Sequence, residues 1–187
     1  MHVFLETERL LLRRFTIADV DNLVALDSDP DVMRYITGGI PTPRTEIEED
    51  SLPAFLSYYE RGDQYGFWAV IQKTTGDFLG WFHFRPAQGA DPDVPELGYR
   101  LKKVAWGKGY ASEGSRALIR RGFAEFGAER VVANAFAANT ASRRVMEKVG
   151  LTFVRTFCYT SDGVVDEEAV QYELERVDWE RQESTHG

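Results

Sequence analysis

The stretch VAWGKGYASEG, Val104 to Gly114, sets two glycines two residues apart just before an alanine-containing run that is able to form a helix. A strand that feeds a helix through glycines leaves the first-turn N–H groups free, and the missing Cβ lets an anion come close to that backbone. The stretch therefore reads as a phosphate cradle, with a plain glycine-rich turn as its alternative. Two familiar phosphate patterns fail on spacing. A P-loop needs Ser or Thr after its Gly-Lys pair, where Gly109 stands, and a dinucleotide fingerprint needs a third glycine where Ser112 stands.

Working outward, the segments before this loop are GFWAVIQ, DFLGWFHFR and PELGYRL. They are rich in aromatic and aliphatic residues and are separated by the turn-like KTTG and PAQGADPDV, which predicts consecutive antiparallel strands. Further upstream RLLLRRF, Arg9 to Phe15, predicts a first strand. Thr16 and Asp19 form an N-cap pair that opens a helix through Val20, Leu23 and Leu26, ended by SDPD. Thr42 and Pro43 open a second helical region, which Pro53 is expected to kink and Gly62 to close. After the loop, Ala111, Leu118, Ile119, Gly122 and Phe126 fall at helical spacing, and Gly127 closes that helix. RVVANAF is a strand, NTASRRVMEKVG a short helix, and LTFVRTFCYT with EEAVQYEL a terminal strand pair. The end, residues 178–187, carries no apolar pattern and is expected to fray.

A chain of 187 residues with 43% hydrophobic and 28% charged residues suits one folded domain over residues 1–187. No run approaches the roughly 18 apolar residues of a membrane span, and Met1 to Arg14 mixes in charges where a signal peptide would be apolar. No membrane association and a cytoplasmic location are expected. The single cysteine, Cys158, and the scattered His2, His83 and His186 give no metal cluster. A formal net charge of -8 argues against nucleic acid and suits a cationic partner such as an amine.

In NTASRRVMEKVGLTFV, Asn139 is a good N-cap, Val145, Met146 and Val149 form a buried stripe, and Gly150 is a left-handed C-cap. Together with the glycine loop, this segment makes the chain resemble the GNAT superfamily of acetyl-CoA-dependent N-acetyltransferases, in particular the branch of the ribosomal-protein alanine and serine acetyltransferases. The resemblance runs in family order from ETERLLLRRF through ELGYRL, WGKGYASEG and NTASRRVMEKVGLTFV to YELERVDW. It implies an α/β (α+β) fold, with a central mixed, mostly antiparallel sheet of about seven strands flanked by helices. The sheet is expected to splay between the fourth and fifth strands, PELGYRL and RVVANAF, with the arm of the cofactor in the gap.

The resemblance also implies site residues. The family's glycine loop carries Gln or Arg where Val104 stands, so one side-chain contact is absent. Leu101 and the backbone of Val104, Gly107, Lys108, Gly109, Tyr110 and Ala111 are still expected to hold coenzyme A. Lys108 either adds charge or is an exposed loop lysine. Asn139 would contact the pantetheine arm while capping its helix. Met146 replaces the tyrosine with which many members protonate the leaving thiolate, and Ser142 either supplies that proton or is a small polar filler. Arg143 and Arg144 reach the adenosine phosphate or are solvated. Glu96 is the expected base, with an edge-strand surface charge as its alternative, and amides near Gly98 and Tyr99, at a bulge, would meet the oxyanion. The acceptor, a small-molecule or peptide amine, would enter past the first helices and the loop YITGGIPTP, where Asp27, Asp29, Asp31, Glu46, Glu48, Glu49 and Asp50 cluster. Trp68, Trp81 and Phe84 are expected in the core. A homodimer through the terminal strands fits such a family. The alternative to an acetyltransferase is a non-catalytic module that binds acyl-CoA.

Overall fold

Alternating and aromatic-rich runs become strands wherever a neighbour satisfies their backbone, and all but one of the strands were visible in the sequence. In the computed structural model, which describes residues 2–87, 89–159 and 167–186, eight strands form an open mixed sheet flanked by helices. The chain divides into two compact units, Met1–Phe84 with Tyr99–Ala117 and Arg85–Gly98 with Leu118–Gly187.

The first unit begins with β1 (Val3–Glu6), β2 (Leu10–Arg13), β3 (Gly66–Gln72) and β4 (Phe78–Pro86). These pair antiparallel in chain order. The strand β1 is the eighth beyond the expected seven: its four residues, VFLE, are too short to show a period. Gly80 has φ +138°, and a Cβ there would lie 2.1 Å from the Arg100 carbonyl oxygen, so glycine is required for β4 to run against β5 (Pro95–Leu101). Lys102 N–H donates to the Leu79 carbonyl at 2.7 Å beside it.

Thr16 and Asp19 form the expected capping box, leading through a short 3-10 turn into α1 (Val20–Asp27). Asp29 then caps α2 (Pro30–Met33), accepting from the Asp31 amide at 2.9 Å. Helical structure resumes in α3 (Arg44–Glu46), passes through a π turn over Ile47–Ser51 and continues in α4 (Leu52–Ser57). A π turn stands where the kink was expected. Pro53 has no N–H to give to the i−4 carbonyl, and the Leu52 amide reaches back to Ile47 instead. Gly62, at φ +104°, ends the run. Phe15, Leu23, Leu26, Ile47, Leu52, Phe67 and Phe78 pack into one buried cluster, each worth about 1.5–3 kcal/mol of burial.

In the second unit β5 and β6 (Arg130–Phe136) run parallel and share the register pair Glu96↔Val132. Along its full length β6 pairs antiparallel with β8 (Glu167–Glu175), and β8 pairs antiparallel with β7 (Thr152–Tyr159). The helices are α5 (Tyr110–Glu125), which begins in the first unit, α6 (Thr140–Lys148) and α7 (Arg176–His186). The last is helical where a frayed tail was expected. Its anchor is tertiary: Arg176 donates to the carbonyls of Phe123 (2.7 Å) and Ala128 (2.6 Å), and Trp179 stacks on Phe123 at 5.2 Å. Thr160 and Gly187, assigned by sequence to the penultimate strand and the tail, lie outside the described residues.

Candidate active site

In the first unit the glycine loop is built from backbone. Lys103–Ala105 makes a 3-10 turn, and the Trp106 indole N–H closes it on the Leu101 carbonyl at 2.8 Å. The Leu101 side chain is buried and Val104 is 67% exposed. Gly107 (φ +71°) and Gly109 (φ +82°) both take left-handed backbone that side-chain-bearing residues resist. A Cβ on Gly107 would meet nothing within 4 Å, so that glycine answers to conformation and open access rather than to packing. Gly109 hands the chain to α5, whose first-turn amides have no intrahelical acceptor.

The far limb of the loop is clamped by Arg9. Its guanidinium donates to the Lys108 carbonyl at 2.9 Å, lies 4.5 Å above the Tyr110 ring and pairs with Glu113 at 2.6 Å. Glu113 also accepts from the Thr7 hydroxyl (2.6 Å) and the Arg9 amide (2.9 Å). Burial opposes the charge on Glu113, but the hydrogen bonds from Thr7 and Arg9, with the Arg9 charge, hold its carboxyl below the usual range. Lys108 itself is exposed, and Ala111 is half-buried. The third glycine of the stretch, Gly114, does a different job: a Cβ there would sit 2.4 Å from the Phe82 ring, so its absence seats α5 on β4.

The same unit holds a cavity of about 230 Å³ lined by α1, the π turn, α4, β3, β4 and β5. Phe55 and Phe67 stack at 4.0 Å on its wall, and Trp81 meets both edge-on. Trp81, half-buried, packs against the buried cluster and also lines this cavity, whereas Trp68 and Phe84 are fully buried. Asp27 and Arg100 line the cavity and pair at 2.6 Å. The acidic residues around them divide by role: Asp27 is buried, Asp31 pairs with Lys103, and Glu48 pairs with Arg44.

In the second unit Glu96 is half-buried on β5, and its Oε1 accepts from the Asn134 side-chain amide of β6 at 3.3 Å. A parallel pair at Glu96↔Val132 brings residue 134 within reach of residue 96. Asn139 caps α6, its Oδ1 accepting the Ser142 amide at 3.1 Å. Ser142 is half-buried and Arg144 exposed. Arg143 is committed to the protein, donating to the Tyr172 hydroxyl (3.3 Å) and the Ala137 carbonyl (3.1 Å), while Tyr172 donates to Glu147 at 2.9 Å. The hydrogen bond to Tyr172 raises the Arg143 pKa above its ordinary value.

A profile of the acetyltransferase (GNAT) domain matches residues 9–152. The chain belongs to the GNAT acetyltransferases. A curated relative is the FsC-acetyl coenzyme A-N(2)-transacetylase of Aspergillus fumigatus, 33% identical over 165 residues, 83% of this chain and 69% of that protein. A GNAT-family acetyltransferase from Bacillus anthracis superposes with a TM-score of 0.75 at 29% identity, covering 95% of this chain and 99% of that one. RimL, a ribosomal L7/L12 alpha-N-protein acetyltransferase in complex with coenzyme A, shares the fold with a TM-score of 0.78 at 16% identity, over 93% of this chain and 98% of that one.

This acetyltransferase assembles some features that no stretch of its sequence announced. Asn134 reads as an ordinary residue of RVVANAF, and only the β5–β6 register brings it to Glu96. Arg9 belongs to the first predicted strand, yet it holds a loop 99 residues away in sequence. The pair of Asp27 and Arg100 spans 73 residues. In α6 of the acetyltransferase Met146 is buried, and its thioether carries no proton to give. Among the described residues no group of three or more His, Cys, Asp and Glu is placed to hold a metal ion, and no helix is long and apolar enough to cross a membrane.

Proposed function

We propose that this acetyltransferase moves the acetyl group of acetyl-CoA onto a primary amine by direct attack within a ternary complex. The observation that carries this reading is the pair of left-handed glycines, Gly107 and Gly109, opening α5. They leave bare backbone at a helix N-terminus, which suits a pyrophosphate. Leu101, Val104 and the amides through Lys108, Tyr110 and Ala111 complete the cofactor cradle, with Asn139, Ser142 and Arg144 serving the rest of coenzyme A. The coenzyme A bound in the RimL structure supports this assignment.

When bound, acetyl-CoA supplies an activated acyl carbon. Glu96 takes a proton from the attacking amine as the C–N bond forms and the C–S bond breaks, and Asn134 fixes the carboxylate that does so. Ser142 returns a proton to the leaving sulfur. An α-amine, with a pKa near about 8, reaches its neutral form more cheaply than a lysine near about 10.4. We therefore favour an α-amine, as in the ribosomal-protein branch, and with it a single catalytic domain, a cytoplasmic location and a homodimer.

Calorimetric titration with acetyl-CoA, dephospho-CoA and NAD tests the cradle, and thiol release with a panel of amines tests transfer. Tight binding of acetyl-CoA but not NAD, with turnover, is expected. Binding without acetylation of any amine at several pH values would instead favour a non-catalytic acyl-CoA module. The Glu96→Gln variant is expected to lose about 10²–10⁴-fold in rate, most at pH values below the pKa of the amine, while acetyl-CoA affinity is unchanged. An unchanged pH-rate profile removes Glu96 from the role of base.

A further inference from the structure

The glycines that open the phosphate loop also loosen it. Gly107 and Gly109 flank Lys108, and a glycine takes either sign of φ readily. The peptide plane between Lys108 and Gly109 is therefore able to turn over by counter-rotation about the bonds on either side of it, with no side chain at position 109 to resist. In a trans peptide the carbonyl of one residue and the N–H of the next point in opposite directions. One orientation of this plane presents the Gly109 N–H to a phosphate. The flipped one presents the Lys108 carbonyl, which repels it.

A side chain of the first unit holds that plane. Arg9 Nη1 donates to the Lys108 carbonyl at 2.9 Å, so the Gly109 N–H points away from the guanidinium. A Cβ at position 109 would lie 3.4 Å from Arg9 Nη2, which places the guanidinium directly against the glycine. Arg9 is itself fixed. Its Nε and Nη2 meet Glu113 Oε2 at 2.7 and 2.6 Å, and its guanidinium lies 4.5 Å from the Tyr110 ring centroid. Glu113 Oε1 in turn accepts from the Arg9 amide and the Thr7 hydroxyl, and the Glu113 side chain is only 17% exposed. An arginine that served only to join the start of β2 to α5 would need the carboxylate alone. The near limb of the loop has the same geometry: the Trp106 indole holds the Leu101 carbonyl at 2.8 Å, and the N–H of that peptide, on Lys102, donates the other way to Leu79 at 2.7 Å.

We propose that Arg9 is a positioning residue for the cofactor: by holding the Lys108 carbonyl it locks the Lys108–Gly109 peptide with the Gly109 N–H aimed at the pyrophosphate of acetyl-CoA. The guanidinium acts through the peptide and does not touch the phosphate. The proposal rests on the acetyltransferase reading of the loop and adds to it a residue 99 positions away in sequence.

The test titrates the full chain with acetyl-CoA by calorimetry and, by displacement of acetyl-CoA, with S-acetylpantetheine, which keeps the thioester arm but carries no phosphate. Arg9→Ala is expected to weaken acetyl-CoA binding about 10-fold, the factor reached when only about a tenth of the molecules keep the plane in the binding orientation. Its affinity for S-acetylpantetheine is expected to be unchanged. A merely structural role would weaken both ligands alike or neither. Arg9→Lys keeps the positive charge but not the planar fork that reaches carbonyl and carboxylate together. It is expected to bind acetyl-CoA as poorly as Arg9→Ala, and it carries the test if Arg9→Ala does not fold. The Gly109 amide proton resonance is the direct readout: at saturation with acetyl-CoA it moves downfield in wild type, and by less in Arg9→Lys. Unchanged acetyl-CoA affinity in both variants, equal losses for the two ligands, or a Gly109 resonance that stays in place in saturated wild type overturns the proposal. Recovery of affinity in Arg9→Lys overturns it too, because charge then acts on the phosphate directly. In each of these outcomes acetyl-CoA binds the wild type, so the cofactor assignment stands and only the role of Arg9 falls. Failure of the wild type to bind acetyl-CoA overturns both readings.

Discussion

Two helices of this protein open in opposite ways. The helix α5 follows Gly109, a residue with no side chain to offer its amides, whereas α6 follows Asn139, whose side-chain oxygen takes the Ser142 amide at 3.1 Å. The first arrangement leaves donors for something outside the protein. The second satisfies one of them at once, which contributes about 1 kcal/mol locally. Their surroundings match the difference. The loop before α5 is held through its carbonyls, by Arg9 on that of Lys108 and by Trp106 on that of Leu101. The turn before α6 is internally closed, with Asn139 N–H on Phe136 and Thr140 N–H on Ala138, both at 2.9 Å. A helix start is therefore not a ligand site by virtue of its dipole alone. On the proposed reading it becomes one where, as at α5, no side chain caps the helix and other residues hold the loop before it.

Substitutions at four positions sharpen that contrast, and the largest effect is expected at Gly114. A Gly114→Ala methyl would fall 2.4 Å from the Phe82 ring, so α5 must shift. A loss of about 2–3 kcal/mol follows, read as a drop of several degrees in Tm by calorimetry. Gly107→Val meets no neighbour but forces a branched side chain into φ +71°. It should lose about 1–2 kcal/mol of stability and at least about 10-fold in acetyl-CoA affinity by titration. Retained affinity would show that α5 is only the end of a turn.

Glu113→Gln weakens the Arg9 clamp. The folded-state pKa of Glu113 is depressed, so its contribution is complete above the ordinary carboxyl value of 4.5 and is lost as pH falls through the lower folded pKa. Wild type should exceed the variant by about 1 kcal/mol near pH 7 in urea denaturation, and the two curves should converge in acid. A constant difference down to the lowest pH would assign the effect to shape rather than charge. Asn139→Ala removes the cap of α6 and should lose about 1 kcal/mol or less, while Asn139→Asp retains most of it.

Much of the candidate site's backbone geometry was legible in the sequence because it is local. Backbone conformation at Gly107 and Gly109, the cap at Asn139, the left-handed Gly150 at φ +95° and the strands GFWAVIQ, PELGYRL and RVVANAF depend on neighbours a few residues away. Glu96 could be chosen only through family resemblance, since its flanking Pro95 and Leu97 leave its face open. The parallel register with β6 then gives it Asn134. Pro53 announced a break in its helix but not its form: whether a proline gives a kink or a π turn depends on how the chain beyond it packs.

The sequence by itself determined the seven strands from β2 to β8, the glycine-opened start of α5, the capped start of α6 and the acetyltransferase family, because each of these is written in short-range spacing and turn chemistry. Tertiary structure alone decided the eighth strand, the helix α7 anchored by Arg176, the clamp of Arg9 on Glu113 and the cavity where Asp27 meets Arg100. Those contacts join residues tens of positions apart, and their energy comes from burial and charge pairing that exist only once the chain has closed on itself.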